Sequence, residues 1–273
     1  MGTDDAQVTV TAATLAGGDK NQDRYAYGDG WAFVLDGASS FVKTRPEHDG
    51  GWYADHLKQE LSAGLTVHSQ RATPEIVEDA IRTVAGLHGD DADSCPTSTI
   101  ALARWDTETV EVYLLGDSAA VLISVNDNEE VLADPRLAEV APAIRGAYRS
   151  RIAAGHGFDE RHRELLQSLQ AKQAQVRNRA DGYWIAGADP DAAHHGLTAR
   201  RPLNEIECVI LASDGAAAGL RYGAFQSWSM LAKQPLDLAL QTVHMMEGQD
   251  GGGAKWPRSK PHDDKTVVCV RPS

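Results

Sequence analysis

The stretch TSTIALARWDTETVEVYLLGDSAAVLISV, residues 97–125, decides the fold. Its apolar residues recur at every second position, with Val110, Val112 and Leu114 on one face, which is the period of a strand and not of a helix. Residues 106–108 supply a turn after the first long run, and the polar NDNEE at 126–130 offers Asn and Asp for another before EEVLAD. Strands joined by turns this short predict an antiparallel meander. They exclude a doubly wound βαβ sheet, whose parallel neighbours need a long crossover.

Upstream, residues 7–36 read as three further strands: QVTVTAAT alternates, RYAYGDG ends in a turn, and WAFVLDG is a buried run. Two helices follow. Tyr53, Leu57, Leu61 and Leu65 recur every four residues, and Ile76, Val77, Ala80, Ile81, Val84 and Leu87 make a second stripe, with Thr73 as its expected cap and Pro74 in its first turn. Downstream, residues 159–179 form a polar helix with a thin stripe (Leu165, Leu166, Leu169), expected to lie over the surface. An irregular stretch containing Trp184 follows, then the strand EIECVILASDG, a helical pattern over 224–246 and the strand KTVVCV. The class is α+β: sheets packed together, with helices on their outer faces.

At 273 residues the chain can bury a full core, and no linker or repeat divides it; the Gly-rich 247–256 is short enough for a surface loop. The net charge of −13, from 39 acidic against 26 basic residues, argues against nucleic acid, which needs a clustered basic face. The opening MGTDDAQVTV has neither the basic nor the apolar region of a secretory signal, and no run approaches the length of a membrane span, so a cytoplasmic protein is expected. Cys95, Cys208 and Cys269 are odd in number, lack CxxC spacing and read as core thiols.

Five aspartates stand where strand-like runs stop: Asp23 in NQDR, Asp36 in VLDG, Asp117 in LLGDS, Asp214 in ASDG and Asp263 in HDDK. A single Asp-Gly after an apolar run is an ordinary turn. Several such acids brought to one edge of a β core would repel one another unless a hard cation neutralised them, which points to Mg²⁺ or Mn²⁺. A pair of such ions can activate one water for attack on phosphorus, so no nucleophilic side chain is needed. Consistently, the chain has no GxSxG elbow, HExxH, CxxxxxR or GxxxxGK[ST] loop.

The ordered series NQDR, VLDGAS, PTSTIALA, LLGDSAAVL, ILASDGAA and HDDKTVVCV resembles the metal-dependent serine/threonine protein phosphatases of the PPM (type 2C) family in their short bacterial form, over residues 19–270. The resemblance implies a four-layer α-β-β-α sandwich of two antiparallel sheets, a single domain over 1–273 and a flap-like insert around 159–202. It implies hydrolysis of phosphoserine and phosphothreonine in proteins, opposing a serine/threonine kinase, by a monomer holding two Mn²⁺ or Mg²⁺ ions and a third, weaker one. Asp36, Asp214 and Asp263 would be the catalytic set. Asp36 would bridge both ions, Gly37 would offer its carbonyl, Asp214 would hold one ion and Asp263 the other, Asp23 would act through water, and Asp117 would serve the third. Two alternatives stay open: an inactive relative that binds phosphoproteins, and a phosphatase of small metabolites.

The chain departs from the family pattern where phosphate is bound. Gly18 stands in the place of the family's phosphate-binding Arg, leaving Lys20 or Arg24 as substitutes. Ala38 replaces a His found in animal relatives, and Ala119 and Ala218 stand where polar or acidic residues are usual. His194, His195 and His262 read either as solvated loop residues or as ligands and acids. Arg177, Arg179, Arg200 and Arg201 read either as a solvated charge run or as contacts for a phosphoprotein.

Overall fold

The computed structural model describes residues 8–40, 45, 47–89 and 91–272. The three N-terminal strands, β1 (Val8–Leu15), β2 (Asp23–Gly28) and β3 (Trp31–Ala38), fall where alternation places them. Helix α1 (Gly50–Val67) buries Tyr53, Leu57, Leu61 and Leu65, and the Asp49 carboxylate caps it by accepting from the Trp52 amide at 2.9 Å. Helix α2 (Thr73–His88) begins one residue earlier than its sequence suggests. Ala72 is its N-cap, and the Thr73 hydroxyl donates to Glu111 across the chain and does not cap the helix.

The alternating stretch yields β4 (Thr97–Ser98), β5 (Ile100–Trp105), β6 (Thr109–Leu115), β7 (Ala119–Ser124) and β8 (Glu129–Ala133). The expected meander is broken in its middle. β5 pairs with β6 in one sheet and β7 with β8 in the other, so the chain changes sheets at residues 116–118. Gly116 makes the step at φ +92°, a conformation that side chains resist. Asp117 is thereby set at the crossing.

Helices α3 (Arg136–Glu139) and α4 (Pro142–Ala153) were not expected; α4 is nearly all polar and small residues and buries only Tyr148 and Ile152. The polar helix α5 (Glu160–Val176), capped by Asp159, matches the sequence reading. Strands β9 (Leu197–Pro202) and β10 (Ile206–Ala212) follow, then α6 (Asp214–Tyr222), α7 (Trp228–Ala232), α8 (Leu236–Gln249) and β11 (Lys265–Pro272).

All strand pairs are antiparallel. One sheet runs β1-β11-β10-β7-β8, the other β2-β3-β5-β6-β9 with β4 beside β3. Alternation along β3 sets the layers: Phe33 and Leu35 pack with α1 and α2, while Ala32 and Val34 meet Val209, Leu211, Val268 and Val270 of the facing sheet. The opposite face of that sheet, with Ile210, Ala212, Val267 and Cys269, is covered by α6, α7 and α8. The result is a four-layer α-β-β-α sandwich. All three cysteines are free and buried, and no helix among the described residues is long and apolar enough to cross a membrane.

A Cβ on Gly116 would also meet Thr99 Cγ2 at 2.9 Å, whereas one on Gly86, near the end of α2, meets nothing within 4 Å. Gly116→Ala should cost about 1–3 kcal/mol, and Gly86→Ala should stabilise by about 0.5–1 kcal/mol, both read from urea unfolding. Equal effects would show that the change of sheet does not depend on the glycine conformation.

Candidate active site

The sandwich brings the ends of strands from both sheets to one edge, and the acids go with them. Asp36 lies near the end of β3, Asp117 at the sheet crossing, Asp214 at the first turn of α6 and Asp263 just ahead of β11. These four and Gly37 line one cavity of about 700 Å³. Asp23 stands behind them, 3% exposed and directly opposite Asp36 in the β2–β3 register. All five sequence-derived acids are thus neighbours.

Backbone contact at this edge is too close for side chains at several positions. A Cβ on Gly37 would lie 2.3 Å from the Gly50 carbonyl oxygen, so this glycine lets β3 abut the start of α1. A Cβ on Gly215 would lie 2.0 Å from the carbonyl of Asp264, so the glycine after Asp214 lets α6 approach the segment that carries Asp263. Asp264, which the sequence reading passed over, is the clamp. Its carboxylate accepts from the Gly17 amide at 2.7 Å and the Gln22 amide at 2.8 Å, tying the β1–β2 loop to the start of β11. Buried Lys265 donates to the Asp263 carbonyl at 2.6 Å and pairs with Glu247, fixing the backbone from the other side.

The acids pay electrostatically for this proximity. The cavity admits water to Asp117 and Asp214, which are exposed in surface terms, but the surrounding walls displace most of the solvent that would stabilise their ionised forms. Desolvation is the main cause that raises each carboxyl. Asp36 is pushed well up, with Asp23, Asp214, Asp263 and Asp117 adding repulsion. Asp263 rises to about 6 and Asp23 to about 7; Lys260 restrains the first, and the neighbouring hydroxyls of Ser213 and Thr266 restrain the second. Neither Asp23 oxygen has a hydrogen bond of good geometry. A buried carboxylate without partners marks a place for a cation or ordered water.

Solved structures of this architecture cover nearly the whole chain. MsPP, a PPM Ser-Thr phosphatase from Mycobacterium smegmatis in complex with cacodylate, is 19% identical over 97% of this chain and 98% of its own, with a TM-score of 0.56. PppA, a regulatory component of T6SS in Pseudomonas aeruginosa, is 13% identical over 98% and 99%, at 0.58. The catalytic domain of the serine threonine protein phosphatase PstP, in complex with 2 manganese ions, is 11% identical over 97% of each chain, at 0.54. This chain has the PPM phosphatase fold. No protein-family model and no curated protein matches it.

Within the PPM fold, several side chains singled out in the sequence lie outside the acidic cavity. Arg24 makes a two-pronged pair with Asp55 and donates to the Asn21 and Asp23 carbonyls, lining a separate cavity; Lys20 is largely exposed and pairs with Asp49. His194 pairs with Glu78 on α2, and His195 stacks on Trp184, which packs into the core beside α1 and α2. His262 turns from Asp263 to Glu247, at 3.1 Å, and stacks on His244. Arg200 and Arg201 pair near strand ends with Asp106 and Glu130. Helix α5 does more than cover the surface: Gln167, Gln170 and Ala174 form part of the cavity wall. Lys260 was missed altogether. Its ammonium lies 2.6 Å from Asp263 Oδ1 in the cavity wall, a pairing that no motif in the sequence announces.

The raised carboxyls give the metal-free protein a defined pH response. A carboxyl whose folded pKa exceeds its ordinary 3.8 favours the protonated folded form; that contribution is full below about pH 4 and is lost as pH rises through about 6 for Asp263 and about 7 for Asp23. Thermal unfolding in chelator should therefore show falling stability between about pH 4 and pH 7. Asp23→Asn, which cannot ionise, should flatten this slope and exceed the parent at pH 8 by on the order of 2 kcal/mol. Identical slopes for parent and variant would remove Asp23 from the strained set.

Proposed function

We propose that this chain is a Mn²⁺- or Mg²⁺-dependent protein phosphatase acting on phosphoserine and phosphothreonine. The observation that carries the reading is the convergence of Asp36, Asp214 and Asp263 on one open cavity whose walls raise all three carboxyls. The donors are carboxylates and a backbone carbonyl, an all-oxygen set suited to hard cations. Among the described residues, the three His, Cys, Asp or Glu side chains whose ligand atoms lie within 4.8 Å of one another are His244, Glu247 and His262, with no such trio in the cavity.

In this reading Asp36, the Gly37 carbonyl, Asp214 and Asp263 would hold the ions, Asp23 would support them from behind through water, and Asp117 would serve a further, weaker ion. Bound there, the ions would supply Lewis acidity, lowering the pKa of water and offsetting the negative charge of a phosphoryl group. The chain's own part is to fix the donors. Gly37 and Gly215 allow the close backbone approach, Asp264 and Lys265 hold the segment bearing Asp263, and the α5 wall limits the entry of bulk water. With Ala38 beside the cavity, no histidine among the described residues lines it, and the proton for the leaving alkoxide would come from water or another group. The open mouth suits a phosphorylated side chain on a protein, with a serine/threonine kinase as the opposing activity and the cytoplasm as the compartment. The domain is taken as 1–273, with 159–202 as its flap.

The test is turnover of a phosphoserine or phosphothreonine peptide with and without Mn²⁺. Parent protein should require the ion, and Asp36→Ala and Asp214→Ala should each lose on the order of 10²-fold or more. Turnover without metal, or variants as active as the parent, would sink the mechanism. Hydrolysis of p-nitrophenyl phosphate with no peptide turnover would instead favour a small-metabolite substrate.

A further inference from the structure

Two basic side chains among the described residues line the acidic cavity, Lys260 and Arg177. They face different neighbours. Arg177 directs a guanidinium nitrogen at the Cys95 carbonyl, at 3.5 Å, and its field falls on Tyr53, Cys95 and Tyr183. Lys260 is paired with Asp263, and its field falls on Asp36, Asp214 and Asp263. The lysine therefore stands where the proposed chemistry would occur.

The segment bearing Lys260 is held on both sides. Buried Arg258 donates to the carbonyls of Pro261 at 3.0 Å and Glu247 at 2.9 Å, and the Ser259 carbonyl lies 2.8 Å from His162 Nε2 on α5. Four residues beyond Lys260, Asp264 makes its two-amide clamp. The Lys260 side chain itself is 53% exposed. A flexible four-carbon stem on fixed backbone keeps its ammonium within a short radius of the acids yet open to solvent. With the acids bare, that ammonium neutralises one carboxylate. Once divalent ions occupy the carboxylates, Asp263 is no longer available to it and like charge repels it, so an anion entering from solvent becomes its best partner.

We propose that Lys260 is the phosphate-anchoring side chain of this site, paired with Asp263 when the acids are bare and donating to phosphoryl oxygens when the ions are bound. It supplies the cation that Gly18 cannot and that Lys20 and Arg24, engaged elsewhere, do not bring to the cavity. The ligand is a phosphate monoester dianion or the inorganic phosphate released from it. This assignment rests on the reading of the cavity as a metal-dependent phosphatase site.

Calorimetry separates the two claims. Mn²⁺ is titrated first into parent, Lys260→Ala, Lys260→Met, Lys260→Arg and Arg177→Ala proteins, and inorganic phosphate is then titrated into each Mn²⁺-loaded sample. The Ala and Met variants should keep Mn²⁺ binding and bind phosphate about tenfold or more weakly. Lys260→Arg should recover much of the loss, and Arg177→Ala should match the parent. Met keeps the stem's packing should Ala disturb folding. Phosphate binding that is undiminished in the Ala and Met variants, or a loss that falls on Arg177→Ala instead, overturns the assignment while leaving the phosphatase reading intact. Loss of Mn²⁺ binding in both neutral variants overturns it too, making Lys260 a support of the acids. A parent protein that takes up no Mn²⁺ overturns both claims at the first titration.

Discussion

Repulsion among carboxylates held at one edge of the sandwich is the constraint around which the rest of this molecule is arranged. Strand ends from two sheets deliver Asp23, Asp36, Asp117, Asp214 and Asp263 to a region where walls have displaced much of the water. Such a cluster does not hold itself together. It persists because rigid layers on either side have already fixed the backbone, so repulsion is relieved by retained protons and by Lys260 and not by the acids moving apart.

That rigidity comes from unlike sources. Between the sheets, Ala, Val and Leu side chains pack the layers closely, while at the edge Gly37 and Gly215 let backbone meet backbone with no side chain intervening. Polar fixings finish the work. Asp264, although adjacent to Asp263, takes no part in the cavity and spends its charge on two backbone amides of a distant loop. Two neighbouring acids of identical chemistry thus serve opposite ends, one facing the cavity beside Lys260 and the other bound to backbone amides away from it. Which is which depends on strand direction, since successive side chains at the start of β11 turn to opposite faces.

Much of this was legible in the sequence because it is periodic. The every-second-residue pattern over 97–125 required short antiparallel strands, the four-residue spacing in α1 and α2 required helices, and the apolar runs ahead of Asp36 and Asp214 placed those acids at strand ends. What escaped is set by space and not by period. Nothing in the spacing of LLGDSAA says that β6 and β7 belong to different sheets, because a three-residue link with a Gly at positive φ serves a hairpin or a crossing equally. Helix α4 carries Ile144, Tyr148 and Ile152 at four-residue spacing, a thin stripe that the reading of the sequence passed over among its arginines and small residues. Arg24 looked available for phosphate because its partner, Asp55, lies 31 residues away on α1, and Lys260 went unread because no motif marks a lone lysine three residues before Asp263.

The position of β11 carries a consequence for assembly. This strand lies between β1 and β10, so β1 joins its sheet only through a strand that follows all the other described strands in the sequence. Until residues 265–272 arrive, β1 has no partner in that sheet, the clamp from Asp264 to the β1–β2 loop does not exist, and the acids are unassembled. Long-range pairing of this kind is slow to form and difficult to nucleate locally. The complete set of acids therefore depends on one strand placed far from the others along the chain, and the whole cavity closes only when that strand and the Asp264 contacts are in place.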